Sequence, residues 1–323
     1  MTLLRRALVG LVLLLVLGCA STGSPHSAGP ATRRAVLHTG QGPVGLAAGG
    51  AGRLWVANAD EGTVELMEAS SGAVVRRVRF GDAPLRLATT PGAVWVTVFR
   101  SGSLARVDTS TGRVTRRVQV GSTPEGLALA AGSLWVVLED SAQLVSVDPS
   151  TGRVRHRVRH VGLSPRLVTA GLGSLWVSDF EGGTIARVNP RTGRVRHSGH
   201  VCDGPQGMVV VAGRVWVACT TGEELVELDP ARLAVTSRVP LAGEPDAVSA
   251  GRGGVVVVAL QDGPALAVVA RGSASRRPHV VRRVVLGHAG KLYDRANVDL
   301  LVDGRTAFVS SNLEDVVRVR RTG

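Results

Sequence analysis

A Trp-Val pair stands at Trp55, Trp95, Trp135, Trp176 and Trp216, at intervals of 40, 40, 41 and 40 residues. Spacing this regular means that one structural unit is copied along the chain. Around each Trp the same order repeats: a Pro-led strand, a Gly turn, the Trp-Val strand, a polar turn, then Asp-x-x-Thr-Gly and Arg-Val alternation. Gly40-Gln-Gly-Pro43-Val-Gly-Leu46 and Gly121-Ser-Thr-Pro124-Glu-Gly-Leu127 hold the same register. Four short strand patterns in about 40 residues predict the blade of a β-propeller, which buries its faces only against neighbouring blades. In the second copy the strands are expected at Leu85–Thr89, Ala93–Val98, Ser103–Val107 and Val114–Val120, running from the centre of the ring to its rim.

Two further copies lack the Trp. Val257 takes its place in Gly254-Val-Val-Val-Val-Ala259, and Phe308 in Thr306-Ala-Phe-Val-Ser310. Five and two make seven blades in an all-β fold over residues 32–323. The last copy ends at Arg321-Thr-Gly323, before its fourth strand, while Ala31–Gly40 aligns with the outermost strand Gly72–Gly81. The N-terminal strand is therefore expected to complete the seventh blade and close the ring, leaving no open edge.

The residues Trp55-Val-Ala-Asn58, Gly62-Thr-Val64 and Asp148-Pro-Ser-Thr-Gly152-Arg-Val154 resemble the YVTN-type propeller repeat of bacterial envelope proteins. The chain is also similar to streptogramin-lyase-type propellers. The first resemblance implies a secreted binding or surface protein. The second implies an enzyme in which inner-rim His and Glu residues act with a magnesium ion. No His stands at the matching positions here. His38, His156, His160, His197 and His200 fall in or beside outermost strands, and His279 and His288 in the insertions of the sixth copy.

The N-terminus reads as an export leader over residues 1–18: Arg5-Arg6, then the apolar run Ala7–Leu17, too short to span a bilayer. Val16-Leu-Gly-Cys19 resembles the bacterial lipoprotein signal, which implies lipidation of Cys19 and an exported protein held at a cell membrane or outer membrane. Residues 19–31 then form a flexible tether, Ser-, Gly- and Pro-containing and without periodicity. Cys202 ends the outermost strand of the fourth blade and Cys219 ends the Trp strand of the fifth; the pair is either a disulfide or two buried thiols.

The net charge of +13 comes from 38 basic residues, all Arg except Lys291. None of the aromatic–basic modules that read nucleic acid is present, so no nucleic-acid partner is expected. Charge instead divides by face. The loops leading into the innermost strands and those after the Trp strands carry most of the Asp and Glu. The hairpins before the outermost strands, and those strands themselves, carry Arg. The protein is read as a monomer.

Candidate ligand-binding residues lie on the acidic face, around the channel. The position after the repeat Pro holds Glu125, Arg166, Gln206 and Asp246. Three residues beyond the Trp stand Asn58 and Asp179. The oxygen ligands among these could hold a divalent cation; no other cofactor is expected. The largest break in the repeat separates Val257 from Phe308, and its second insertion places His288, Tyr293, Asp294 and Arg295 in a loop on the same face. The expected function is non-catalytic binding of an envelope protein or a small molecule, with a metal-dependent lyase or lactonase as the alternative.

Overall fold

The computed structural model describes residues 34–271, 277–287 and 298–322. The leader, Cys19, the tether and the four loop residues His288, Tyr293, Asp294 and Arg295 lie outside them. The described residues form seven antiparallel sheets of four strands each. The chain is a seven-bladed β-propeller. Blade 2 is representative, with strands Pro84–Thr90, Ala93–Val98, Ser103–Asp108 and Val114–Gln119 from axis to rim. Blades 1 to 6 are each built from consecutive segments. Blade 7 takes Leu300–Asp303, Thr306–Ser311 and Val316–Arg321, and its outermost strand is Arg34–His38. Arg34 pairs with Arg320 and His38 with Val316, so the first strand closes the ring.

Second strands are buried on both faces, which is why they read as unbroken apolar runs such as Leu134-Trp-Val-Val-Leu138. Third and fourth strands progressively regain alternation as one side meets solvent. The core is correspondingly divided into seven clusters, one at each junction between blades. Trp55 packs against Val94 and Val96 of the next blade, and Trp95 against Leu134 and Val136. Trp135, Trp176 and Trp216 repeat the arrangement. Val257 meets Ala307 and Val309, and Phe308 meets Leu54 and Val56 of blade 1. Val257 and Phe308 thus occupy the Trp position in the two Trp-less copies.

Strand alternation sets two faces, and a recurring hydrogen bond ties the loops of one of them together. In blades 1 to 6 the loop after the second strand donates a backbone N–H to the loop entering the same blade: Ala59 to Gly42, Phe99 to Ala83, Glu139 to Thr123, Phe180 to Ser164, Thr220 to Gly204 and Gln261 to Glu244. On the opposite face the Asp-x-x-Thr-Gly hairpins are closed by the Asp. Asp108 Oδ1 accepts from the N–H and hydroxyl of both Ser110 and Thr111, donors that hold its carboxyl down at about 2.

The outer Arg residues do more than guard an edge. Arg76 donates to Ser110 O of the following blade. Arg157 and Arg238 donate to Val120 O and Val201 O of the preceding one. Arg77 pairs with the buried Glu65 of its own blade. Arg76, Arg157 and Arg238 thus tie neighbouring blades together at the rim, while Arg77 fastens two strands of its own blade.

Cys202 and Cys219 are joined by a disulfide, with Cα atoms 6.0 Å apart. Their setting differs from expectation in one respect. The outermost strand of blade 4 ends at His197, so Cys202 lies in the connection to blade 5 rather than in a strand. The cause is Ser198, whose hydroxyl accepts the Ile185 N–H that would otherwise continue the ladder. The bridge closes a loop of 17 residues, a constraint on the unfolded chain on the order of 3 kcal/mol.

Candidate functional site at the channel mouth

The innermost strands converge on the axis, and in blades 1 to 6 each carries a register shift just after its Pro, as between Pro124 and Leu127 or Pro245 and Val248. A bulge of this kind re-aims the side chains it contains. Close approach of adjacent inner strands makes it necessary. A Cβ on Gly126 would lie 2.7 Å from Arg166 O, and one on Gly207 2.2 Å from Asp246 O. With Gly against the neighbouring backbone, the preceding residue turns inward.

The bulge places Glu125, Arg166, Gln206 and Asp246 on blades 3 to 6, with Gly following Glu125 and Gln206. Arg166 Nε lies 3.3 Å from Glu125 Oε2 and 3.9 Å from Glu139 Oε1, and its guanidinium stacks 5.3 Å from the Phe180 ring. Asp246 Oδ2 accepts the Val298 N–H at 2.6 Å, joining blade 6 to the segment that enters blade 7. Gln206 is buried, and its Oε1 has no hydrogen-bond partner.

Two members of the cluster are absent from the sequence-based candidates. Arg86, buried on blade 2, donates to Val44 O at 3.2 Å and lies 3.5 Å from Asp299 Oδ2. Asp299 in turn accepts the Leu46 N–H at 2.8 Å, so the two residues brace the neighbouring blades 7, 1 and 2 beside the axis. Both line a cavity of about 210 Å³ whose walls include Leu87, Leu127, Leu167 and Met208. Arg86 occupies the position that Gly45, Gly126 and Gly207 hold in other copies. That departure from the repeat was the available signal.

Asn58 and Asp179 are used differently. Asp179 Oδ1 accepts the N–H groups of Leu163 and Ser164, both at 2.8 Å, and Oδ2 accepts the Thr184 hydroxyl. Asn58 Nδ2 donates to Thr63 Oγ1, while its Oδ1 is buried without a partner. Both side chains are absorbed into their own loops. Among the described residues no three His, Cys, Asp or Glu side chains are grouped to hold a metal ion. Of the expected set Asn58, Glu125, Asp179 and Asp246, Asn58 and Asp179 are thus bonded within their own loops. The described His residues all lie in or beside outermost strands, away from the channel.

Burial pushes the Glu125 carboxyl upward, opposed by Arg166 and Arg86. Burial alone would lower Arg166, but Glu125 and Glu139 raise it. Asp246 is pushed up to about 7, first by burial, against the pull of Arg86, the Val298 N–H and Arg166 and with some reinforcement from Glu125. Blades 2, 3 and 4 thus act on a carboxyl of blade 6, which places all four groups in the channel.

The folded chain consequently holds a proton on Asp246 at pH values where the unfolded chain, near 3.8, has released it. The associated stability is fully present below about pH 4 and is lost as pH rises through about 7. Asp246→Asn keeps an acceptor for Val298 and removes the titration. The wild-type melting temperature should fall between pH 5 and 8 more steeply than that of the variant, which should be the more stable at pH 8. Parallel pH profiles would show that Asp246 does not titrate in this window.

No family model and no curated protein matches the sequence. Solved structures do match in shape. A catalytically inactive histidine-to-alanine variant of virginiamycin B lyase from Staphylococcus aureus, with quinupristin, superposes with a TM-score of 0.74 at 14% identity, over 88% of this chain and 98% of that one. Hydrazine synthase from Kuenenia stuttgartiensis gives 0.75 at 16% identity, over 88% and 96%. The WD40 repeats of RRP9 give 0.77 at 9% identity, over 90% and 98%. Identities this low establish the shared propeller and nothing finer, and the propeller hosts both enzymes and WD40 proteins.

Proposed function

We propose that the chain is a non-catalytic, lipid-anchored protein of the bacterial cell envelope whose channel mouth binds a small molecule or a segment of an envelope protein. The observation that carries the reading is the buried, unpartnered Gln206 Oε1, on the blade beside Asp246. Buried polar atoms are almost always satisfied, and an acceptor at the mouth is satisfied by a ligand's N–H or O–H. The ligand class it favours is therefore a hydrogen-bond donor, with an ammonium group best suited to the adjacent carboxyl. Thermal-shift titration against matched panels of amines, carboxylates and neutral polyols tests this. Amines should raise the melting temperature of the wild type and not of Gln206→Leu. A response confined to carboxylates, or one retained in Gln206→Leu, would remove the assignment.

A second reading, a metal-dependent lyase or lactonase, is favoured by one feature: a channel carboxyl near 7 is suited to acid–base work. Incubation with quinupristin and magnesium ions, followed by mass spectrometry, separates the two. Ring-opened product that disappears in Asp246→Asn would establish the enzyme.

A further inference from the structure

The face opposite the channel mouth carries a surplus of exposed guanidinium groups. Arg113, Arg153, Arg191 and Arg194 stand on the hairpins before the outermost strands of blades 2 to 4, and Arg252 and Arg305 on the turns between the first two strands of blades 6 and 7. None of these six forms an ion pair among the described residues. The carboxylates nearby are already engaged. Asp148 is closed into its hairpin and paired with Arg155. Asp229 is held by Ala231, Arg232 and Arg214, and Glu68 pairs with Arg53 at 2.8 Å. Asp303 is the exposed acid that remains. The mouth face has the opposite character, with Asp60, Asp140, Glu181, Asp203, Glu223 and Asp262 all exposed.

Protection of sheet edges does not account for these six residues, because they stand on hairpins and turns rather than along outermost strands. The chain itself supplies a direction. Strand Arg34–His38 begins beside Arg320 and ends beside Val316, which follows the mouth-face loop at Glu314 and Asp315. Arg34, where the described chain begins, therefore stands on the Arg-rich face.

We infer that this face lies against the anionic headgroups of the membrane, with the channel mouth turned away. The inference rests on the lipid-anchor reading for its orientation, since the first described strand begins on the same face. Its attraction, however, is electrostatic and does not need the lipid. Guanidinium groups near an anionic leaflet contribute additively and act within a Debye length of about 8 Å at physiological salt.

The test uses the chain from Thr32 onward, which retains its closing strand, in cosedimentation with two kinds of vesicle. One kind is phosphatidylcholine alone; the other includes roughly one-third phosphatidylglycerol. Binding should be confined to the anionic vesicles and weaken as salt is raised. The combined variant Arg113→Ala, Arg153→Ala, Arg194→Ala should bind at least about ten-fold more weakly. Arg100→Ala, on the mouth face, should leave binding unchanged. Equal binding to both vesicles overturns the inference, as does full binding by the triple variant. Complete displacement by an equal charge of duplex DNA would show a general polyanion surface and overturn it as well. Mass analysis of the N-terminal peptide from membranes tests lipidation of Cys19 separately, so failure of the anchor and failure of the face are distinguishable.

Discussion

Deleting residues 34–38 should abolish cooperative unfolding or lower the melting temperature by at least about 10 °C. This strand is the outermost member of blade 7 and the only part of that blade drawn from the start of the chain. Leu37 is 2% exposed and packs against the hairpin of blade 1, where a Cβ on Gly72 would lie 3.4 Å from it. Its removal alone forfeits roughly 2 kcal/mol of apolar burial. Five residues of ladder pairing with Val316–Arg320 are lost as well, and Arg320, buried in the same blade, loses the Ala35 carbonyl. The strand Val316–Arg321 then becomes the edge of a three-stranded blade, exposing backbone groups that the other six blades cover with a fourth strand. Thermal unfolding and size-exclusion chromatography of the shortened and complete rings would measure the effect. A shortened ring that stays monomeric and melts within about 2 °C of the complete one would mean that blade 7 does not depend on its borrowed strand.

The repeat made the fold legible because one physical demand recurs at every junction. Each blade needs a large apolar side chain at the centre of its second strand, so Trp appears at fixed spacing and even Val257 and Phe308 keep the register. Ring closure was readable for a related reason: the unfinished last copy and the unmatched first strand fit the same gap. The channel was only half legible. Glu125, Arg166, Gln206 and Asp246 were visible because all four sit at one position of the repeat. Arg86 sits one residue further on, and only the bulge in the inner strand, a three-dimensional feature, brings it into line with them. Asp299 was hidden because it follows the long insertion of the sixth copy, where the register is interrupted. Asn58 and Asp179 share a repeat position as well, but shared position did not mean shared purpose: backbone N–H groups from the neighbouring turn take up the carboxylate of Asp179. The Arg residues of the outer strands looked like a charged rim, and carbonyl groups of adjacent blades turn out to be what several of them hold.

Trp176→Ala is expected to destabilise the ring by about 3–5 kcal/mol, at the upper end for a single side chain. The indole is fully buried between blades 4 and 5 among Ile185, Val201, Met208, Val215 and Val217. Its Nε1–H donates to Gly171 O at 3.1 Å, and the Arg187 guanidinium lies 5.5 Å above the ring. The loss depends on how far neighbours can move into the vacated space. Here they are restrained, because the Cys202–Cys219 bridge fixes the connection and the second strand of blade 5 in that same cluster. The cavity should therefore stay open and the loss remain large. Trp95 provides the contrast: its indole N–H is buried with no partner. Trp95→Phe removes an unsatisfied donor, whereas Trp176→Phe strands the Gly171 carbonyl, so the second should be the more destabilising by about 1 kcal/mol. Urea unfolding of the three variants, with unchanged dependence on denaturant, would give these differences directly. A Trp176→Ala midpoint equivalent to a loss below about 1 kcal/mol would mean that the blade interface closes over the gap, and that the Trp spacing reflects something other than the packing between blades.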